Sequence, residues 1–181
     1  MSAGRLIAVV GPSGVGKDSL MEALCAARPD FWRVRRVITR PSEAGGEDFE
    51  GVSEAEFLRR EAEGAFVLSW QAHDLHYGIP MEAARRIAEG AQAVANLSRG
   101  AVFAAAERFP GLHVLSVTAN PEILAARLAK RGREDADGIA RRLSRPAPEM
   151  PVGVATTTID NSGAMDDSVA VALAALYPVS A

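Results

Sequence analysis

Apolar residues follow two rhythms along this chain. Short, β-rich runs at Leu6 to Val10, Arg33 to Ile38, Phe66 to Gln71, Gln92 to Leu97, Leu112 to Thr118 and Thr156 to Asp160 read as strands. Between them the apolar positions recur at three and four residues. That spacing predicts helices over Gly16 to Ala27, Ser53 to Glu63, Met81 to Glu89, Ala101 to Arg108, Pro121 to Arg131, Asp135 to Ser144 and Met165 to Leu176. Two helix starts carry their own signals. Ser53 with Glu56 three residues on is a capping box, and Asn120-Pro121 gives a cap followed by proline at the first helical position.

Strand and helix alternate, and at least three strands are almost wholly apolar, which implies a parallel sheet covered on both faces. The fold class is α/β, doubly wound. Residues 41–52 lack periodicity and contain three glycines, so they read as a loop entering a small insertion. The arginine-dense stretch Arg127 to Arg145 interrupts the core pattern a second time.

With 181 residues and 48% hydrophobic content, the chain suits one domain with a sizeable core. No apolar run approaches the roughly 20 residues that a membrane span needs, and the N-terminus enters strand and loop without a signal-peptide pattern; a cytoplasmic protein is expected. Cys25 is the only cysteine and lies among apolar helix residues, so no intrachain disulfide or cysteine metal site is available. A net charge of −3 argues against general nucleic-acid binding. For anionic substrates the positive charge must be local.

The chemistry concentrates first at Gly11-Pro12-Ser13-Gly14-Val15-Gly16-Lys17-Asp18, directly after the first strand and opening the first helix. Glycines let successive backbone N–H groups face a phosphate, the helix N-terminus adds positive charge, and the lysine reaches the outer phosphates. Lys17 is one of only two lysines beside eighteen arginines. The hydroxyl that usually follows the lysine and ligates Mg²⁺ is replaced by Asp18. Gly11, Pro12, Ser13, Gly14, Val15, Gly16, Lys17, Asp18 and Ser19 are the expected ATP-binding residues.

Arg33, Arg35, Arg36 and Arg40 fall within eight residues. Strand alternation sends Arg33 and Arg35 to one side and Arg36 to the other, so Arg36 and Arg40 are the expected phosphate ligands and Arg33 and Arg35 surface. Arg131 and Arg142, and less strongly Arg133 and Arg145, suit a lid that closes over a transferring phosphoryl group, with Gly132 as hinge. Tyr77 is either a hydrogen-bond donor to an acceptor phosphate or a half-buried aromatic. The three histidines have no acidic partner at metal spacing. No obvious general base stands out, and a phosphate acceptor needs none, because its second pKa of about 6 leaves it largely ionised at pH 7.

Val37-Ile38-Thr39-Arg40-Pro41, Gly46-Glu47-Asp48-Phe49, Val52 to Phe57, Tyr77-Gly78 and Arg131-Gly132-Arg133-Glu134 have the order and spacing of guanylate kinase, and the resemblance spans nearly the whole chain. Within that superfamily, Gly11 to Ser19, Ala44-Gly45-Gly46-Glu47-Asp48, Leu68 to His73 with Tyr77 to Pro80, and Ile159-Asp160-Asn161-Ser162-Gly163 resemble the ribose 1,5-bisphosphate phosphokinase family. The resemblance implies a P-loop three-layer fold with a mostly parallel sheet. It implies a core over about 1–32, 91–126 and 151–181, an acceptor-binding insertion over about 33–90 and a lid over about 127–150. The implied reaction passes the γ-phosphoryl of ATP to ribose 1,5-bisphosphate, giving 5-phosphoribosyl 1-diphosphate, in phosphonate breakdown. Arg36, Arg40, Tyr77 and Arg99 are expected at the acceptor, Arg131 and Arg142 at the transferring group, and Asn161 near the adenine.

Departures from guanylate kinase point the same way. Its second acceptor arginine is Ser42 here, its tyrosine is Phe49, and its guanine-reading glutamate falls on Leu68, which cannot accept a hydrogen bond. The strand end usually written Asn-Gly-Ser-Arg reads Asn96-Leu97-Ser98-Arg99. Guanylate kinase carries a carboxylate facing the metal region where this chain has Asn96. Asp18 is therefore expected to hold Mg²⁺, directly or through water; Ser19, about 100° further round the helix, does not replace the missing hydroxyl. The alternatives are a nucleoside monophosphate kinase and a non-enzymatic interaction module, the second disfavoured because Lys17 and the lid arginines are kept.

Overall fold

A computed structural model describes residues 3–132, 136–143 and 149–179. In chain order the elements are β1 (Arg5–Val10), α1 (Lys17–Ala27), β2 (Phe31–Arg33), β3 (Val37–Ile38), β4 (Glu50–Gly51), α2 (Glu54–Ala62), β5 (Phe66–Ala72), β6 (Leu75–Pro80), α3 (Met81–Ala88), β7 (Gln92–Asn96), α4 (Arg99–Arg108), β8 (His113–Thr118), α5 (Pro121–Arg131), α6 (Ala136–Leu143), β9 (Ala155–Asp160) and α7 (Met165–Leu176).

The first sheet has the order β2-β7-β1-β8-β9, and every pairing is parallel. Successive side chains of a strand point to opposite faces, and the core divides accordingly. Leu6, Ala8 and Val10 join Ala93, Ala95 and Val114 in one buried cluster with Ala83 of α3 and Ala101, Val102 and Ala105 of α4. Ile7 and Val9 join Val94, Leu115 and Val117 in another, with α1, α5 and α7. The near-continuous apolar runs mark strands buried on both faces, and helix, sheet and helix make three layers.

The single strand expected over Arg33 to Ile38 is two strands in two sheets. β2 pairs with β7, and the chain leaves that sheet after Val34 N–H donates to the Val94 carbonyl at 2.9 Å. Arg35 and Arg36 cross over, and β3 enters a second sheet of order β4-β3-β6-β5. Val34, Val37 and Ile38 are all buried, so hydrophobic pattern alone cannot mark the change of sheet. In the second sheet β3 and β4 are parallel, whereas β3 with β6 and β5 with β6 are antiparallel. His73 and Asp74 join β5 to β6 with positive φ angles of 51° and 61°, as a two-residue type I′ turn requires.

The expected helices form with ends that shift by up to two residues, α4 starting at Arg99, two residues before the expected Ala101. Gly16 and Ser53 are caps rather than first residues, and Ser53 Oγ accepts from Glu56 N–H at 3.2 Å. Asn120 Oδ1 accepts from Glu122 N–H at 2.9 Å ahead of Pro121. At the end of the first sheet remote from the phosphate loop, Tyr177 ties α7 to the α1–β2 connection. Its hydroxyl donates to Asp30 Oδ2 at 2.6 Å, and the Arg28 guanidinium lies 4.0 Å from its ring centroid. No helix among the described residues is long and apolar enough to cross a membrane.

Candidate active site

β1 is buried along nearly its whole length, so the loop that leaves it at Gly11 starts from a fixed point. Gly16 caps α1 in the left-handed region at φ 98°, and a Cβ there would collide with Asn161 Nδ2. Only glycine meets both demands. Lys17 Nζ arches back to donate to the carbonyls of Gly11 at 2.7 Å and Pro12 at 3.0 Å. Burial lowers its pKa to about 8, and the charges of Arg36, Arg99 and Arg131 act in the same direction against Asp18. These three guanidinium groups come from the β2–β3 crossing, the first position of α4 and the end of α5.

The back of the loop is clamped at one carbonyl. Val15 O accepts from Asn161 Nδ2 at 2.8 Å and from Arg127 Nη1 at 3.3 Å, while Arg127 Nη2 donates to Asn161 O at 3.0 Å. Asn161 is 2% exposed, and its Oδ1 accepts from Ser168 Oγ at 2.8 Å. Asn161, expected near an adenine, thus has both polar atoms of its side chain bonded within the protein, one of them to the loop. Arg127 was legible only as the first of the arginines in the expected lid stretch.

A cleft of about 230 Å³ opens in front of the loop, lined by Lys17, Asp18, Arg36, Arg40, Glu47 and Arg131 among its charged residues. Four cations face two carboxylates in a chain of net charge −3. Arg40 is the more available of the two arginines expected to bind phosphate. Its Nη2 donates to Gly45 O at 3.1 Å, its guanidinium lies 4.3 Å from the Phe49 centroid, and its buried Nε has no hydrogen-bond partner. Arg36 is 7% exposed and already engaged. Its Nε and Nη2 fork onto Glu47, Nε at 3.2 Å, and Nη1 donates to Asn96 O at 3.1 Å. Tyr77 lies beneath it, 5.0 Å from ring centroid to guanidinium, and stacks on Trp70 at 5.3 Å. Arg99 opens α4 behind the Ser98 cap.

Asp18 accepts a 2.8 Å hydrogen bond from Arg33, so Arg33 is drawn to the loop rather than left on the surface. Arg35 is exposed and pairs with Asp48 at 3.1 Å. A second cleft of about 420 Å³ adjoins the first, sharing Asp18, Ser19, Gly46, Glu47 and Arg131. Arg131 ends α5, where Gly132 turns the chain at φ 62°. Arg142 belongs to α6, but its side chain is not described; Arg133 and Arg145 lie outside the described residues. No cluster of three or more metal-ligating side chains occurs among the described residues.

The guanylate kinase family model matches residues 3–161. The ribose 1,5-bisphosphate phosphokinase PhnN of Ruegeria sp. (strain TM1040) is 52% identical over 92% of this chain and 88% of its own length. The protein of the same name from Agrobacterium fabrum is 46% identical over 90% of this chain and 91% of its own. The chain belongs to the ribose 1,5-bisphosphate phosphokinase branch of the guanylate kinase family. A guanylate kinase from Anaplasma phagocytophilum superposes with a TM-score of 0.71 over 97% of this chain and 86% of its own; at 18% identity it bears on the fold alone.

Within this branch the sequence departures have physical places. Leu68 is 5% exposed and belongs to the α3–α4 core cluster, as does Leu97 at 2%, whose side chain therefore enters the core rather than the cleft. Phe49 is the ring against which Arg40 rests. Ser42 Oγ accepts from Gly51 N–H at 3.0 Å and pins the glycine loop to β4.

Proposed function

We propose that this chain transfers the γ-phosphoryl group of ATP to the anomeric phosphate of ribose 1,5-bisphosphate, giving 5-phosphoribosyl 1-diphosphate and ADP, in the cytoplasm and in phosphonate degradation. The observation that carries the reading is the cationic cleft in front of Lys17, where Arg36, Arg40 and Arg131 line the same space as the ammonium and no histidine does. Transfer between two phosphates needs positioning and charge compensation rather than a base. The names of the relatives support the acceptor. Leu68, buried in the core, offers a guanine edge nothing to bond.

In this reading the amides of Gly14 to Lys17 and the Lys17 ammonium bind the β and γ phosphates. Arg40 and Arg99 hold the acceptor, Arg36 and Tyr77 form its floor, and Arg131, with Arg142, meets the transferring group. Mg²⁺ fits the donors present: Asp18 offers a hard carboxylate oxygen that is only partly covered, and this ion keeps most of its own waters. A metal held there would supply positive charge against the nucleotide phosphates.

The deciding experiment is a coupled ADP-release assay with two acceptors. Turnover with ribose 1,5-bisphosphate and little or none with GMP is expected. The reverse pattern would overturn the assignment in favour of a nucleoside monophosphate kinase.

A further inference from the structure

Glu47 stands where an anion-binding cleft should least tolerate it. It lines both clefts, beside Arg131 in each and beside Lys17 and Asn96 in the smaller one, with its side chain only 10% exposed. No regular element holds it, since it lies between the 3₁₀ turn at Ser42–Ala44 and β4. Its placement comes from Arg36, whose fork grips both carboxylate oxygens while its third nitrogen is fixed by Asn96 O and its face by Tyr77. Trp70 backs Tyr77. Three side chains, Arg36, Tyr77 and Trp70, together with the Asn96 carbonyl, thus set the position of one carboxylate.

Such an ion pair is a weak source of stability, because the desolvation cost of two charges offsets most of their attraction. Its chemistry at the cleft is more telling. A carboxylate has about four acceptor positions and no hydrogen to donate. The Arg36 fork takes those facing it and cancels the charge that would repel a phosphate. The outer positions still require donors. On a pentose bisphosphate at neutral pH the phosphates are acceptors, and the ring hydroxyls are the donors.

We propose that Glu47 recognises the vicinal hydroxyls of the sugar acceptor, with Arg36 as the positioning residue that aims it. Arg36, expected from the sequence as a phosphate ligand, then acts through Glu47, and the phosphates fall to Arg40, Arg99, Arg131 and Lys17. The inference rests on the acceptor assigned above. It makes the cleft selective for a sugar diol between two phosphates, since a site built to bond a hydroxyl rejects the analogue that lacks it.

The test compares kcat/KM for ribose 1,5-bisphosphate with that for its 2-deoxy and 3-deoxy analogues, in the wild type, in Glu47→Ala and in Arg36→Met/Glu47→Ala. The double variant leaves no buried charge without its partner, and a ratio of acceptors does not depend on the fraction folded. The wild type is expected to disfavour at least one deoxy analogue by roughly 10- to 100-fold, the range for a hydrogen bond to a charged group. In both variants that preference should fall to within about threefold, mainly through slower use of ribose 1,5-bisphosphate. A wild type indifferent to both hydroxyls, or an active variant that keeps the wild-type preference, overturns the proposal. If both variants are inactive, titration calorimetry with the three acceptors replaces the rates and is read in the same way. Failure of the wild type to use ribose 1,5-bisphosphate would instead strike the function itself.

Discussion

Lys17 combines scarcity with an unusual proton affinity. With a pKa near 8 it is about half charged at pH 8, and bound phosphate favours the charged form. ATP binding at pH 8 should therefore take up about half a proton. Calorimetry in buffers of different ionisation enthalpy would measure it, and the uptake should vanish in Lys17→Met. The sign of the stability effect is opposite to that of a lysine gaining a partner. Because the unfolded lysine keeps its proton up to its ordinary value of 10.5, the ligand-free protein gains stability as pH rises from about 8 toward 10.5, and Lys17→Met should lack that gain. At the next residue, Asp18→Asn should weaken Mg²⁺ binding to the nucleotide complex by about tenfold, since it removes the charge a hard cation prefers. Equal Mg²⁺ affinity by calorimetry together with an equal rate would remove Asp18 from the metal site.

At the scale of elements, the ties that hold the helices are separable from the chemistry. Tyr177→Phe keeps the ring under Arg28 and deletes the hydrogen bond to Asp30, so it should cost about 1 kcal/mol and lower the melting temperature by roughly 2–4 °C. Thermal unfolding checks it, and kcat/KM should be unchanged because the tie lies at the far end of the sheet. Apart from β2, the strands of the parallel sheet were legible, as were two helix caps, because each follows a local rule: apolar runs at β1, β7 and β8, a capping box at Ser53, proline after Asn120. β4 and β6 were not. β4 is two residues inside a glycine loop, and β6 holds its alternation around Gly78 and ends on Pro80. The same limit hid the crossing at Arg35 and Arg36, where two apolar runs in different sheets read as one.

The candidate site was legible in parts for a related reason. The phosphate loop is local in sequence, so Gly11 to Lys17 could be read directly. Glu47, Arg33 and Arg127 act through partners 11, 15 and 112 residues away, and no local pattern announces such pairings. Arg36 stands out of its cluster as an expected phosphate ligand, but only the folded chain discloses that its charge is met by Glu47.

Over the whole molecule, the parallel sheet carries the nucleotide loop, the mixed sheet carries Arg40, Tyr77 and the glycine loop, and α4 and α5 bring Arg99 and Arg131 from the core side. The cleft in front of Lys17 draws its lining from both sheets. One consequence is optical. The chain has two tryptophans, one in each sheet: Trp32 in β2 beside Arg86, and Trp70 stacked on the tyrosine that supports Arg36. A Trp32→Phe protein would emit from Trp70 alone. If the mixed sheet binds the acceptor as proposed, titrating this variant with ribose 1,5-bisphosphate should change that emission while ATP alone leaves it nearly still, and the mixed sheet then carries its own fluorophore.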